Sequence, residues 1–345
     1  MTLKNTNCRI AIDAMGGDFA PQNAVIGAVQ AYNQSKDFQL ILVGDREKIM
    51  EVLNSNNLSL DSENIVHTSQ TIEMHESPTL AIKTKQDSSI VVGAKLVKDG
   101  KADAFVSAGN TGAMMAACTL IIGRIRGVGR PTIGAALPSE KGGVCHVFDV
   151  GASVDSKPIH LLEYAIMGSI FVQEMYGKNN PTVGLLSVGE EEDKGNELVK
   201  ATSKLLKEAK VNFVGNVEGR DILKGTVDIV VCDGYVGNII LKFAESVIGL
   251  LKGKIRNYAN QGLWNKIRVL FARGTLRNSL EDMDYQSHGG VPLLGINGIG
   301  IIGHGSSSEL AIKNMVLKAK EMYDKKLTQK IEESLKSLTE RNNGS

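Results

Sequence analysis

The sequence is poor in the residues that announce a chemistry. Its four cysteines, Cys8, Cys118, Cys145 and Cys232, stand far apart. They form no CxxC pair and no Cys/His cluster at metal spacing, so they read as reduced thiols, with no disulfide framework and no metal centre expected. GxSxG is absent and no Cys/His pair is indicated by spacing, so no covalent nucleophile announces itself. Lys and Arg (39) balance Asp and Glu (38) to a net charge of +1, and no whole-molecule field argues for nucleic acid. No run of 18 apolar residues exists, and Met1–Asn7 lacks the charged segment and apolar stretch of a signal peptide. A cytoplasmic protein that does not span a membrane is expected.

What the chain does have is glycine, 37 residues of it, within a 42% hydrophobic composition of globular type. At 345 residues it can form one large α/β domain or two smaller ones. One pattern recurs along it: an apolar strand, then an acid or serine, glycine and asparagine, then a helix. It is best developed at Ala104-Phe105-Val106 followed by Ser107-Ala108-Gly109-Asn110-Thr111-Gly112-Ala113. Unpaired N–H groups and the positive end of the dipole at a helix N-terminus attract anions, and glycines admit a phosphate close to the backbone. Ser107, Asn110 and Thr111 add uncharged donors. An ordinary N-capped helix after a tight turn is the plainer reading of the segment alone.

The pattern returns five times. Cys8–Ile12 leads into Asp13-Ala14-Met15-Gly16-Gly17-Asp18, a loop of the doubly wound type or a glycine turn capped by Asp18. Cys145–Phe148 leads into Asp149-Val150-Gly151-Ala152, and Pro181–Gly189 into four acids and Lys194-Gly195-Asn196-Glu197. The acids suit a helix N-terminus by themselves, whereas Lys194 and Asn196 supply the cation and amide that a phosphate or a polarised carbonyl requires. Asp228–Cys232 leads into Asp233-Gly234-Tyr235-Val236-Gly237-Asn238, and Ile299–Gly303 into His304-Gly305-Ser306-Ser307. Loops of this kind at strand C-termini are expected to converge on one crevice. Gly298, Gly300 and Gly303 match GxGxxG but fall before or inside a strand, so the dinucleotide motif fails its context test. Ser287–Gly295 reads as a loop, and Glu309 to about Leu338 as one charged helix.

Residues 239–279 differ in character. Ile240, Phe243, Val247, Ile255 and Tyr258 recur at helical spacing, and a second helix carries Leu263, Trp264, Ile267, Leu270 and Phe271. From Ser246 to Ser279 there is no acid, while Lys252, Lys254, Arg256, Lys266, Arg268, Arg273 and Arg277 are basic. Such a hairpin suits dimerisation, an anionic bilayer or an acidic protein; a solvated basic face packed on the core is the plain alternative. The division expected is an α/β catalytic domain of residues 1–238 and 280–345 with the hairpin 239–279 protruding.

Taken together and in order, the six blocks from Asp13 to Ser307 closely resemble the PlsX family of bacterial phosphate acyltransferases of phospholipid synthesis, over about residues 8–325. The resemblance implies a Rossmann-like doubly wound sheet of the isocitrate dehydrogenase and phosphate acetyltransferase type. It also implies a homodimer on the cytoplasmic membrane surface, with no cofactor. The implied reaction transfers a long acyl group from acyl carrier protein to inorganic phosphate, and the acyl phosphate feeds glycerol-3-phosphate acylation, which makes the downstream acyltransferase a candidate partner. On this reading Ser107, Gly109, Asn110 and Thr111, with Gly16 and Gly17, cradle phosphate. Lys194 and Asn196 polarise the carbonyl or neutralise charge, and His304 and Ser306 assist the leaving thiolate or the phosphate. Asp13, Asp18 and Asp233 orient these groups, and Asp149 and Asn238 complete the substrate loops. Lys252, Arg256, Lys266 and Arg268 would steer the acidic carrier, with Leu263, Trp264 and Phe271 entering the membrane interface. Ser153 departs from the family, which often has asparagine there. The competing readings are a short-chain enzyme using coenzyme A and a non-catalytic membrane scaffold; a nicotinamide-dependent dehydrogenase is disfavoured by the misplaced glycine motif.

Overall fold

A computed structural model describes residues 8–279 and 289–342. Met1–Asn7, Leu280–His288, where the expected domain boundary at 280 falls, Asn343–Ser345 and the side chain of Arg277 lie outside the described residues. The first part of the chain runs β1 (Cys8–Asp13), α1 (Gln22–Gln34), β2 (Phe38–Gly44), α2 (Arg46–Ser55), β3 (Ile65–His67), α3 (Pro78–Thr84), α4 (Ser89–Lys98), β4 (Ala104–Ser107) and α5 (Thr111–Ala117). The middle runs β5 (Thr132–Pro138), β6 (Val144–Phe148), α6 (Pro158–Tyr176), β7 (Thr182–Leu186), α7 (Glu197–Glu208), β8 (Asn212–Val217), α8 (Gly219–Lys224) and β9 (Ile229–Val231). It closes with α9 (Gly234–Ala259), α10 (Leu263–Ser279), β10 (Val291–Leu294), β11 (Ile299–Ile302), α11 (Glu309–Asp324) and α12 (Leu327–Asn342).

The strands of the described residues join one 11-stranded sheet in the order β3-β2-β1-β4-β11-β10-β5-β6-β9-β7-β8. Helices cover both faces, as the doubly wound reading requires. Successive side chains of a strand point to opposite faces, so β1 sends Ile10 and Ile12 into one core with α1 and α11 and Ala11 into the other with α3, α4 and α5. Most helix starts follow from local chemistry. Ser88 caps α4 through the N–H of Val91, Pro78 occupies the first turn of α3, and Asp233 caps α9 through Val236. Asp18 caps nothing: α1 begins after Pro21, and the Asp18 N–H donates instead to Gly305 O at 2.7 Å.

The sheet reverses direction in its middle. β1, β2, β3, β4 and β11 run parallel, β10 pairs antiparallel with both β11 and β5, and β5 pairs antiparallel with β6, which β9, β7 and β8 follow in parallel. β11 and β6 therefore point opposite ways.

Two expectations are corrected. Residues 291–294, read as loop, form β10 inside the sheet, with Pro292 opposite Ile301. A proline between glycines hid a strand of four residues. The single C-terminal helix is two, α11 and α12, broken where Lys326 adopts φ 53°.

α9 starts at Gly234, ahead of the apolar stripe read from position 239. Ile240, Leu241 and Ala244 pack on the second core, whereas α10 leaves Trp264 75% and Phe271 86% exposed. By length and composition α9 could cross a bilayer, with a mean hydropathy of 1.3 over its most apolar window. Its first turns pack onto the sheet, and Lys242, Glu245, Lys252, Lys254 and Arg256 are spread along it.

Candidate active site

The strand reversal sorts the predicted loops into two groups. Ser107 pairs with Ile302 at the C-terminal ends of β4 and β11. Val291 pairs with the same Ile302, and β10 then runs back until Leu294 faces Thr132 at the start of β5; two residues further on, Gly134 faces Phe148. Asp149 thus lies at the other end of the strands from Ser107. The expected single crevice is two edges, because three antiparallel pairings separate the parallel halves and reverse their direction.

The first edge is built around Asp13. Its carboxylate accepts Ser107 Oγ at 2.7 Å and the Met15 N–H at 3.0 Å. Burial pushes its pKa up, against hydrogen bonds from Ser89, Ser107, Met15 and Gly16 that pull it down. Ser107 Oγ also accepts the Gly109 N–H at 3.0 Å, so the hydroxyl is committed on both sides. Asn110 is similarly occupied: Oδ1 caps α5 through the Ala113 N–H at 3.0 Å, and Nδ2 donates to the carbonyls of Glu73, Met74 and Glu76. Loops 13–18 and 107–110 meet where no side chain fits, since a Cβ on Gly16 would lie 2.3 Å from Asp13 Oδ2 and 2.7 Å from the Gly109 nitrogen. Gly17, with φ +106°, packs against Gly305. Asp18, Thr111 and His304 are the members of this edge that face solvent, with Ser306 half-buried. His304 Nδ1 lies 2.8 Å from Ser306 Oγ and accepts the Ser306 N–H at 3.2 Å, which leaves the proton of the neutral ring on Nε2.

The second edge is built around Asp149, which is fully buried. It accepts the N–H groups of Ile133 (3.0 Å), Ala152 (3.1 Å) and Ser153 (2.8 Å), while burial pushes its pKa up. The Gly234 N–H donates to Ser153 O at 3.0 Å, and a Cβ on Gly237 would lie 1.8 Å from Asp149 O, so α9 starts directly on this loop. Ser153 contributes through its backbone, which asparagine would supply equally. Asn238 packs against Gly151. After the neighbouring β7, exposed Asn196 caps α7 with Oδ1 accepting the Val199 N–H at 3.0 Å. Lys194 is exposed and in no ion pair among the described residues. Two of the acids before it are engaged, Glu192 with Lys207 and Glu190 with Arg220. Around these groups stand Val154 (66% exposed) after β6, Val188 (83%) after β7 and Tyr235 (61%) in the first turn of α9. Strands at adjacent positions lie about 4.8 Å apart, so this is one apolar-rimmed polar edge.

Sequence reasoning passed over Arg124, Arg130, Lys157, His160 and Glu163, which gather at the same edge beside the start of β5. The only available signal was the basic run Arg124-Ile125-Arg126-Gly127-Val128-Gly129-Arg130. The hairpin residues Lys252, Arg256, Leu263, Trp264, Lys266, Arg268 and Phe271 are all exposed. A cavity of about 350 Å³ lined by Met175, Tyr176, Asn314, Leu317, Lys318 and Glu321 belongs to neither edge.

Comparison with known proteins adds kinship to this geometry. The family model described as "Fatty acid synthesis protein" matches residues 8–330. The phosphate acyltransferase of Pelotomaculum thermopropionicum is 46% identical over 330 residues, 96% of either chain. That of Desulfitobacterium hafniense is 47% identical over 332 residues, 96% of this chain and 98% of its own. A phosphotransacetylase from Streptococcus pyogenes shares the fold, with a TM-score of 0.60 at 16% identity over 93% of this chain and 95% of its own.

Proposed function

The chain belongs to the fatty acid synthesis protein family and is a transferase whose relatives are phosphate acyltransferases, and we propose that it moves a long fatty acyl group from acyl carrier protein to inorganic phosphate. Phosphate at neutral pH is already a nucleophile. One of its oxygens forms a bond to the thioester carbonyl carbon, a tetrahedral oxyanion develops, the C–S bond breaks, and the thiolate leaves and takes up a proton. Acyl phosphate for phospholipid synthesis and a free carrier thiol result, with no acyl-enzyme and no cofactor. The enzyme's task is to hold two reactants in line and offer donors to the oxyanion.

The observation that carries this reading is the second edge, where a lysine in no ion pair among the described residues and an exposed amide stand with exposed Val154, Val188 and Tyr235. A charged nucleophile and an apolar chain need that combination. Lys194 and Asn196 stabilise the oxyanion, and Asp233, Asp149 and Asn238 shape the loops that carry them. His304, Ser306 and Thr111, at the other end of the strands, serve phosphate or the leaving thiolate across a homodimer contact that brings the first edge of one copy to the second edge of the other. Asp18, Gly16, Gly17 and Gly109 shape that first edge, and buried Asp13, Ser107 and Asn110 hold it. The exposed, basic α9–α10 hairpin suits an anionic membrane surface or the acidic carrier. On this account the protein works in the cytoplasm, peripherally on the membrane, and hands its product to a glycerol-3-phosphate acyltransferase.

Donor preference tests the reading. Thiol release in the presence of phosphate should be much faster from palmitoyl-carrier protein than from palmitoyl- or acetyl-coenzyme A. Faster release from acetyl-coenzyme A would favour the short-chain alternative. Lys194→Ala should lower kcat by about 100-fold or more without loss of folding, and near-normal turnover would remove Lys194 from the mechanism.

A further inference from the structure

Three cations beside the start of β5 have no part in the chemistry above. Arg124 Nη1 donates to Gly129 O, the Gly129 N–H donates to Glu163 Oε2 at 2.9 Å, and the Lys157 N–H donates to His160 Nδ1 at 3.1 Å. A Cβ on Gly129 would lie 2.9 Å from His160 Cδ2 and 3.2 Å from Glu163 Oε2, so the 124–130 loop lies directly on the first turns of α6. Arg124, Arg130 and Lys157 are exposed around this contact. None of them forms an ion pair among the described residues.

The local acids do not neutralise them. Glu163 is buried and takes the Gly129 N–H, with a pKa pushed up to about 7 by that burial, and Asp155 is exposed on the loop before Lys157. The imidazole of His160 is held toward its neutral form, by burial first and then by Arg130, Lys157 and Arg124. Like charges confined to one loop and one helix start repel each other, and they are tolerable together when an anion is shared between them. The 19-residue helix α6 adds its positive end at the same place.

We propose that Arg124, Arg130 and Lys157 form a binding site for a phosphate group at the Asp149–Lys194 edge. Two sources supply that chemistry if the acyl-transfer reading, on which this choice of ligand rests, holds. One is free orthophosphate; the other is the phosphodiester that links a carrier's prosthetic arm to the carrier. Guanidinium forks and an ammonium grip either by charge-assisted hydrogen bonds.

The test is the double variant Arg130→Gln/Lys157→Gln, whose side chains are exposed and hold no ion pair, beside a charge-preserving Arg130→Lys/Lys157→Arg control. Each protein is melted in inorganic phosphate and in chloride of equal ionic strength, and the KM for phosphate and for the acyl donor is measured. Wild type and control should melt higher in phosphate than in chloride, and the Gln variant should lose that difference. Hydrogen bonds to charged groups are worth about tenfold or more in affinity each. A KM for phosphate raised by about tenfold with kcat kept would identify free phosphate as the occupant, whereas a raised KM for the donor would identify the donor's phosphodiester. A Gln variant that keeps the wild-type phosphate-dependent melting and both KM values would overturn the proposal. If wild type releases no thiol, the acyl-transfer reading fails while the melting comparison still decides the site.

Discussion

Asp13 and Glu163 illustrate what burial does to a carboxyl in this protein. Asp13 is compensated by four hydrogen bonds, one of them from Ser107 Oγ. Ser107→Ala removes that donor and the acceptor of the Gly109 N–H at once, and should lower the unfolding free energy by about 2 kcal/mol in urea titrations. An unchanged stability would show that the hydroxyl is not structural. Glu163 is less compensated, and its pKa rises from 4.5 to about 7. The folded carboxyl therefore holds its proton more tightly than the unfolded chain does, so ionisation costs stability as pH climbs through that interval. Wild type should lose stability relative to Glu163→Gln between pH 5 and pH 7.5 in denaturant titrations, and parallel curves would contradict the assignment. Gly237→Ala should cost about 3 kcal/mol, since its methyl would overlap the Asp149 carbonyl. Which residues belong to the loops was legible because strand-end glycines, acids and asparagines have a local logic. Which way a side chain turns was not: Ser107 and Asn110 have the donors a phosphate needs, but those donors are bonded to the protein itself.

At the scale of elements, periodicity and capping marked most of the helices, though not the six-residue α8, and nearly all of the strands. The exceptions have local causes. β10 carries a proline and is flanked by glycines, and only its two antiparallel neighbours make it a strand. The break at Lys326 leaves the amphipathic pattern unbroken across α11 and α12, so no sequence signal separated them. The α9–α10 hairpin was visible as an acid-free, basic stretch with an apolar stripe, and its Leu263, Trp264 and Phe271 are exposed, which the membrane proposal puts to use. Leu263→Asp/Trp264→Asp should abolish sedimentation with phosphatidylglycerol vesicles while leaving acyl transfer from a soluble donor within about twofold of wild type. Undiminished vesicle binding would remove the membrane role.

For the whole molecule, the decisive feature is the reversal of the sheet between β11 and β6, which recurrence of loops along a sequence cannot reveal. It sets Asp13, Ser107 and His304 at one end of the strands and Asp149, Lys194 and Asp233 at the other. If two copies bring these edges together, His304→Ala and Lys194→Ala chains, each inactive, should form mixed dimers holding one intact site. Co-expression should then restore up to about a quarter of wild-type activity; no restoration would place each site within one copy. The purified chain should be given palmitoyl-carrier protein with and without inorganic phosphate, thiol release followed, and the product trapped with hydroxylamine. Release that requires phosphate and yields palmitoyl hydroxamate is the predicted result. Release without phosphate, or none from the folded protein, would contradict it.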